Sequence, residues 1–500
     1  MNGSRGRNRT DIPVGFVADW SDVTETNAPA TPGPHYPTMP LPAKDAWPAL
    51  FALCTGFFMI LLDQTIVAVA TPEFQRQLHA DYNQVIWVTS AYLLTFAVPL
   101  LVTGRLGDRF GPRNVYVVGM AVFTCSSLWC GLAGSVEELI AARAVQGLGA
   151  ALLTPQTMAV INRIFPRDRR GSALGVWGAT AGLSTLCGPL LGGLITGTVG
   201  WEWVFFINVP IGVLSIIAVM VWVPRFPPAA RRIDPLSIVL SVVAVFLLVF
   251  GLQEGESMDW AWWIWVMIGV SFVLFALFVR QQVVAEHRGR DPLMPLSLFR
   301  VRNFSLGNIG IVSMGFTVAS VPLPFTLYYQ QVHGLSPLQA GIMLVPQAAT
   351  SLVLSPIVGR LTDRYSSRGL GASGFTVMAL SIVGMTAVMA SGAPHYWTII
   401  PLIGLGIGNS LVWAPNSAST MRDLEMNQMG AGSGVYNQTR QLGSVIGVAA
   451  VGAMMQWRLI VDDPGTAFGL SVLIPAAMMI VGVTSSLLST NNLHQSQAGK

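Results

Sequence analysis

Gly104-Arg105-Leu106-Gly107-Asp108-Arg109 recurs as Gly359-Arg360-Leu361-Thr362-Asp363-Arg364, changed only at the fourth position. Each copy closes a run of about twenty apolar residues, the length that crosses a hydrocarbon core of about 30 Å. Working outward from the two copies, runs of that length follow one another along the chain. They lie near 47–70, 84–104, 114–134, 138–161, 172–198, 203–224, 234–253, 260–280, 303–327, 336–359, 371–392, 396–419, 432–455 and 466–489. Lipid offers no partner to backbone N–H and C=O groups, so such spans are helices. The first copy follows the second span and the second copy the tenth. With spans seven and eight set aside as an insertion, each copy follows the second helix of a six-helix half. The expectation is an all-α integral membrane protein with fourteen transmembrane helices: two six-helix pseudo-symmetric halves plus two inserted helices, around a central pathway. Its parts are a disordered tail (1–46), a first half (47–224), a linker with the two extra helices (225–302), a second half (303–490) and a short tail (491–500).

Composition agrees. Of 500 residues, 52% are hydrophobic and 10% charged, against about 25% charged in a globular protein. That deficit excludes a nucleic-acid binder resting on a basic patch, and a disordered chain. The only lysines are Lys44 and Lys500, neither following a G-x-x-x-x-G, so the chain binds no ATP through a Walker A loop. Four cysteines (Cys54, Cys125, Cys130, Cys187) lie in apolar runs without paired metal spacing and read as buried small hydrophobes. All six histidines fall outside the spans. Neither a metal site, a cofactor nor a catalytic cluster is expected. The run before Ala68-Val69-Ala70 is too long for a signal peptide and carries Asp63, so it reads as a retained first span.

Charge placement sets orientation. Of 28 Lys and Arg, only Arg76 and Arg458 fall in outer loops and only Arg143 and Arg440 within spans, if the N-terminus is inside. The positive-inside rule then places both termini in the cytoplasm and the chain in the cell membrane (plasma or inner), as a multi-pass protein. Trp87, Trp129, Trp201, Trp203, Trp260, Trp397 and Trp457 cluster at predicted outer ends, and Trp262-Trp263-x-Trp265 reads as an interfacial anchor.

Three ionisable residues sit well inside spans: Asp63, Arg143 and Arg440. Each costs about 2.5–3.5 kcal/mol at a bilayer centre, so a functional reading is the default. Asp63 and Arg143 lie at similar depth, roughly 8–10 Å from the outer end, and can pair if spans one and four face each other. Burial disfavours the charged aspartate and a nearby arginine favours it. A residue that alternates between these settings takes up and releases a proton in each cycle. Asp108 stands among Arg105, Arg109 and Arg113. There it could cap the positive start of an inner-starting helix of the other half and close the inner side; span thirteen, beginning near Gly432, is the candidate. Gly188-Pro189-Leu190-Leu191-Gly192-Gly193, preceded by Gly178 and Gly182, makes span five a closely packed or sliding interface. Thr65 and Ser184 read foremost as helix-bonding hydroxyls.

Taken together these residues resemble the major facilitator superfamily, in its fourteen-span drug/proton antiporter branch of the EmrB/QacA kind. Leu62 to Ala70 resembles the branch's first-span signature, and Gly104 to Arg113 the loop between spans two and three. Leu139-Ile140-Ala141-Ala142-Arg143-Ala144-Val145-Gln146-Gly147-Leu148-Gly149 resembles the fourth-span motif, whose arginine the family ties to proton coupling. Gly188-Pro189-x-x-Gly192-Gly193 resembles the fifth-span antiporter motif. Phe205 to Gly212 and Gly432 to Gly443 resemble further branch-typical segments. Departures are Asn114 after Arg113, Ala68 where asparagine is usual and Glu202 where a basic residue is usual.

The expectation is proton-coupled export, by alternating access, of lipophilic, monovalent cationic or neutral small molecules such as drugs. The partners are a small-molecule substrate, protons and the bilayer. Asp63 and Arg143 would couple protons and engage substrate, and Thr65, Gln146, Asn208 and Arg440 would line the pathway. Gly104, Arg105, Asp108, Arg109 and Asp363 would form the inner gate. Dications are disfavoured because the second half has no acidic residue in its core. The alternatives are a dedicated exporter of one metabolite, lipid or siderophore, and a facilitator, channel-like or sensor protein of transporter shape. An enzyme is the weakest reading, since no nucleophile has an in-membrane base.

Overall fold

A computed structural model of the chain describes residues 38–80, 82–227, 234–255, 258–288 and 290–490. Among these, every regular element is helical. Thirteen helices are long and apolar enough to cross a membrane, and a fourteenth span is a bent pair.

In chain order, span one is Ala43–Gln77 and span two the pair Tyr82–Ala97 and Leu100–Phe110. Spans three to six are Pro112–Leu132, Val136–Ile164, Arg170–Thr198 and Asn208–Trp222, the last preceded by the turn Trp203–Phe206. Spans seven and eight are Pro235–Glu254 and Trp262–His287. Span nine is Arg302–Ser320 with its continuation Pro322–Leu327, and span ten joins Pro337–Met343 to Val345–Arg364. Spans eleven to thirteen are Ser367–Ala390, Ile399–Met421 and Met429–Val461; span fourteen joins Pro464–Ser471 to Leu473–Leu488. Residues 43–46, expected in the tail, already belong to span one. The rest of that tail lies almost wholly outside the described residues, and so does the tail at 491–500.

Span two, expected as one run over 84–104, breaks at Pro99. Proline has no N–H to donate and its ring crowds the preceding turn, which kinks or breaks a helix. Val98 closes the first segment on Leu94 O (3.0 Å), and Thr103 N opens the second on Pro99 O (2.8 Å). The axis bends by 47° between the two.

The two largest apolar cores each lie mainly in one half, and Trp413 packs against both. Span seven lies where the halves adjoin: Val245 and Val249 pack with Leu94 and Val98 of span two and with Leu442 and Val445 of span thirteen. Asp234 caps span seven through Ser237 N (3.2 Å), and Ser271 of span eight donates to Ala244 O (2.8 Å). The opposite face of span eight is apolar and exposed, with Trp262 at 77% and Trp265 also open, as lipid-facing anchors would be. Trp201 behaves otherwise than expected. It is buried, packs on Phe74, and donates from its indole to Gln77 Oε1 (3.0 Å), because span one runs past it. Of the cysteines, Cys54 and Cys130 are buried, but Cys125 is exposed on the outer surface of span three.

Candidate functional site

The first cluster centres on Asp63, which is 0% exposed. Ser135 caps span four by accepting from Glu138 N (3.2 Å), and the helix so started places Arg143 and Gln146 three residues apart on one face. That face meets span one. Arg143 Nη1 lies 2.5 Å from Asp63 Oδ2, and Gln146 Nε2 donates to Asp63 Oδ1 at 2.9 Å. Arg143 Nη1 also donates to Gln146 Oε1 (2.7 Å), and its Nε to Val88 O of span two (3.3 Å). From span six, Asn208 Nδ2 donates to Asp63 Oδ1 (3.3 Å) and to Ser127 Oγ (3.0 Å), and Ser127 donates to Phe205 O (3.0 Å). The Tyr92 ring covers the guanidinium at 4.1 Å.

Spans one, two, three, four and six thus converge on one carboxylate. Gln146 and Asn208 do not line an open pathway as expected; both are fully buried and hold Asp63 in place. Tyr92 and Ser127 were not expected here. Their only signal is a polar atom in an apolar run, which many packing residues share. Thr65 follows its helix-bonding reading: its hydroxyl donates to Leu61 O, Leu62 O and Ser184 O, the last across the seam to span five (3.4 Å).

The second cluster is the repeated loop. Asp108 Oδ1 accepts from Gly430 N (3.1 Å) and Oδ2 from Ala431 N (2.9 Å), at the start of span thirteen. Asp363 does the same at span five, accepting from Gly171 N (2.7 Å), Ser172 N (2.8 Å) and the Ser172 hydroxyl. Four residues earlier in each copy stands a glycine that lets backbones touch. A Cβ on Gly104 would lie 2.7 Å from Gly434 Cα, and one on Gly359 would lie 2.7 Å from Gly175 Cα. Each half therefore caps a helix of the other in the same register.

The one difference between the copies also has a cause. A Cβ at Gly107 would collide with Gln156 Oε1, whereas Thr362 at the equivalent position lies against Gly171 and donates its hydroxyl to Val358 O (2.8 Å). Around Asp108, Arg163 Nη2 lies at 3.0 Å and Arg105 Nη1 at 3.6 Å, while Arg105 Nη2 donates to Pro292 O (2.8 Å) in the linker after span eight. Arg109 departs from expectation: it is exposed and stacks on its neighbour Phe110. Arg163, missing from the sequence-derived set, takes its place, because span four rather than the loop passes Asp108.

The glycines of span five divide between the other half and span one. Gly171, Gly175 and Gly182 abut span ten of the other half, and Gly178 abuts Trp413. Gly188 and Gly192 pack on Thr65, Ile66 and Val69 of span one, within their own half, and Gly193 meets nothing within 4 Å. The seam between the halves is thus built from the earlier glycines, not from the Gly188–Gly193 motif. Pro189 of the motif lies outside the residues whose side chains are described.

The third feature is Arg440 in span thirteen. Its guanidinium lies 5.9 Å from the Trp413 ring. Glu254 was overlooked in the sequence because it ends span seven; it is buried at 1% exposure.

The profile of the Major Facilitator Superfamily matches residues 53–448. An uncharacterized MFS-type transporter of Mycobacterium tuberculosis is 46% identical over 422 residues, 84% of this chain and 72% of the relative. The tetracenomycin C resistance and export protein of Streptomyces glaucescens is 35% identical over 87% of this chain and 80% of its own. The methylenomycin A resistance protein of Streptomyces coelicolor is 33% identical over 81% and 84%. Among solved structures, the human organic anion transporter MFSD10 superposes with a TM-score of 0.63 at 14% identity, over 88% of this chain and 99% of that one, a likeness of fold alone. A helical chain with two half-repeats, each capping a helix of the other, and with that profile over most of its length, belongs to the major facilitator superfamily of transporters.

Proposed function

We propose that this chain exports lipophilic small molecules across the cell membrane in exchange for protons, with both termini in the cytoplasm. The observation that carries the reading is the sealed Asp63–Arg143 pair with its two amide clamps. Protonating Asp63 removes the carboxylate counter-charge of a guanidinium that is 1% exposed. An uncompensated buried charge costs several kcal/mol, so the five spans that meet there must repack. Transporter halves that rock against each other supply that repacking. Arginine placement puts the Asp108 and Asp363 caps on the cytoplasmic side, where they hold the inner end shut while Asp63 is charged. Relatives named for drug resistance and export support the direction.

By sequence alone Asp63 would bind a proton or engage a cationic substrate. With its oxygens already engaged by Arg143, Gln146 and Asn208, we assign it the proton. Neutral lipophilic compounds remain the core of the proposal, and monovalent cations require a conformation that frees Asp63. The test is purified protein in liposomes under an imposed pH gradient, with N-phenyl-1-naphthylamine and ethidium as neutral and cationic probes. Gradient-driven movement of either probe that collapses in Asp63→Asn supports antiport coupled at Asp63. Equal movement in wild type and variant refutes it. A second reading, dedicated export of one compound, is favoured by relatives named for single compounds. A substrate panel giving one strong hit among unrelated structures would select it.

A further inference from the structure

Arg143 has an acidic partner, and Arg440 has none among the described residues. Among the described residues no ion pair or side-chain hydrogen bond of Arg440 is formed, although it lies in the membrane-spanning part of span thirteen, part-accessible rather than sealed. A bare guanidinium at that depth is costly. Its neighbours place it inward rather than toward lipid. The Trp413 ring beneath it packs at 5.3 Å on Trp177 of the opposite half, and Trp177 packs at 4.7 Å on Phe57. Trp413 also abuts Gly178 of span five and touches both apolar cores. An aromatic wall therefore crosses the seam between the halves and ends under a free positive charge.

The wall carries unmet donors as well. The indole Nε1 atoms of Trp177 and Trp413 are both buried and without a hydrogen-bond partner. A buried N–H is normally paired, and among the described residues neither indole finds an acceptor; the Trp413 ring lies 5.9 Å from the Arg440 guanidinium, with Trp177 packed on that ring from the other half. Tyr436 cannot help: one turn before Arg440, its hydroxyl is taken by Asn416 (3.1 Å) and Ser417 (2.9 Å). The unmatched chemistry is that of an acceptor-rich, negatively charged, flat molecule.

We infer that Arg440, Trp413 and Trp177 form a substrate site for aromatic anions, in which the guanidinium takes the acidic oxygen and the indoles stack and donate. The inference rests on the export reading for its purpose, so its test begins with binding. Two probes share one skeleton: 1-anilinonaphthalene-8-sulfonate is anionic, and N-phenyl-1-naphthylamine is neutral. Saturable energy transfer from tryptophan to each probe would be titrated on the full chain in nanodiscs, with ethidium as the cationic comparison. The anion should bind about tenfold or more tightly than the neutral probe, the scale of one hydrogen bond to a charged group. Arg440→Gln should remove that advantage and leave neutral-probe affinity within about twofold, while Arg440→Lys retains most of it. Trp177→Phe keeps a ring but loses the donor, and should weaken the anion alone by a few-fold. Equal affinity for the two probes, tighter binding of ethidium, no saturable anion binding, or equal losses for both probes in Arg440→Gln would each overturn the site. Anion binding that follows the charge at residue 440, with no gradient-driven movement in liposomes, would leave the site standing and refute export.

Discussion

The two inter-half caps set a graded expectation for opening of the gate. Asp363→Asn keeps one carbonyl oxygen for Gly171 or Ser172 but turns an amide toward the other N–H. One charge-assisted hydrogen bond is lost, worth about 1.5–3 kcal/mol. It overlaps with the favourable placement of a negative charge at a helix start, worth up to about 2 kcal/mol. About 2 kcal/mol for the closed state is a reasonable sum, or roughly a 30-fold shift toward opening. Asp108→Asn loses the same interactions at Gly430 and Ala431, and in addition leaves Arg163 and Arg105 without their carboxylate. About 3 kcal/mol follows, or roughly 150-fold. Spin labels on cysteines at Arg109 and Met426, both exposed near that end but on different halves, would report the separation. The exposed Cys125 and the part-exposed Cys187 would first be replaced by serine. Double electron–electron resonance should show a longer-distance population growing from wild type to Asp363→Asn to Asp108→Asn. Unchanged distances in both variants, or a larger shift for Asp363→Asn, would refute the reasoning.

Three further outcomes are expected. Asp63→Asn should lower thermal stability by about 3–5 kcal/mol because it strands Arg143. The double variant Asp63→Asn with Arg143→Gln should recover most of that in a thermal-shift assay, without recovering proton coupling. Gly104→Ala and Gly359→Ala should each impede gate closure, since a Cβ would sit 2.7 Å from backbone of the other half. Gly193→Ala, with nothing within 4 Å, should not, and the same spin-label pair reads the contrast. Outside the spans, burial and the neighbouring His395 hold the His333 imidazole below its usual range. A histidine kept neutral in the fold contributes stability that is present above about pH 6.5 and lost as pH falls from there through its depressed value. Hydrogen exchange at 328–335 should therefore quicken on acidification below about pH 6.5 and lose that dependence in His333→Gln.

Much of the site was legible because the membrane simplifies the reading. A charge in hydrocarbon is expensive wherever it lies, so Asp63, Arg143 and Arg440 stood out without any knowledge of packing. The cap at Asp108 was legible for a related reason: a carboxylate repeated with its glycine at the inner end of a span suits the positive start of a helix of the other half, and span thirteen offered one. Its twin at Asp363 followed from the repeat, though not its partner span five. The neutral members of the network left no comparable mark. Tyr92 and Ser127 look like any other polar residue in an apolar helix until span two and the turn before span six bring them to Asp63.

What the amino-acid order determined by itself was the number and length of the spans, their halves and the places where charge must be answered. These depend on one-dimensional properties: apolar run length, the period of a repeat, and the cost of each ionisable group in lipid. Only the tertiary structure decided which charges are answered. Helix rotation turned Gln146 and Asn208 inward onto Asp63, drew Arg163 rather than Arg109 to Asp108, and sent Gly188 to span one while Gly175 and Gly182 met span ten. It also left Arg440 beside an aromatic wall with no ion pair among the described residues. Rotation about a helix axis is set by side-chain packing between helices, and no single stretch of sequence carries both sides of that contact.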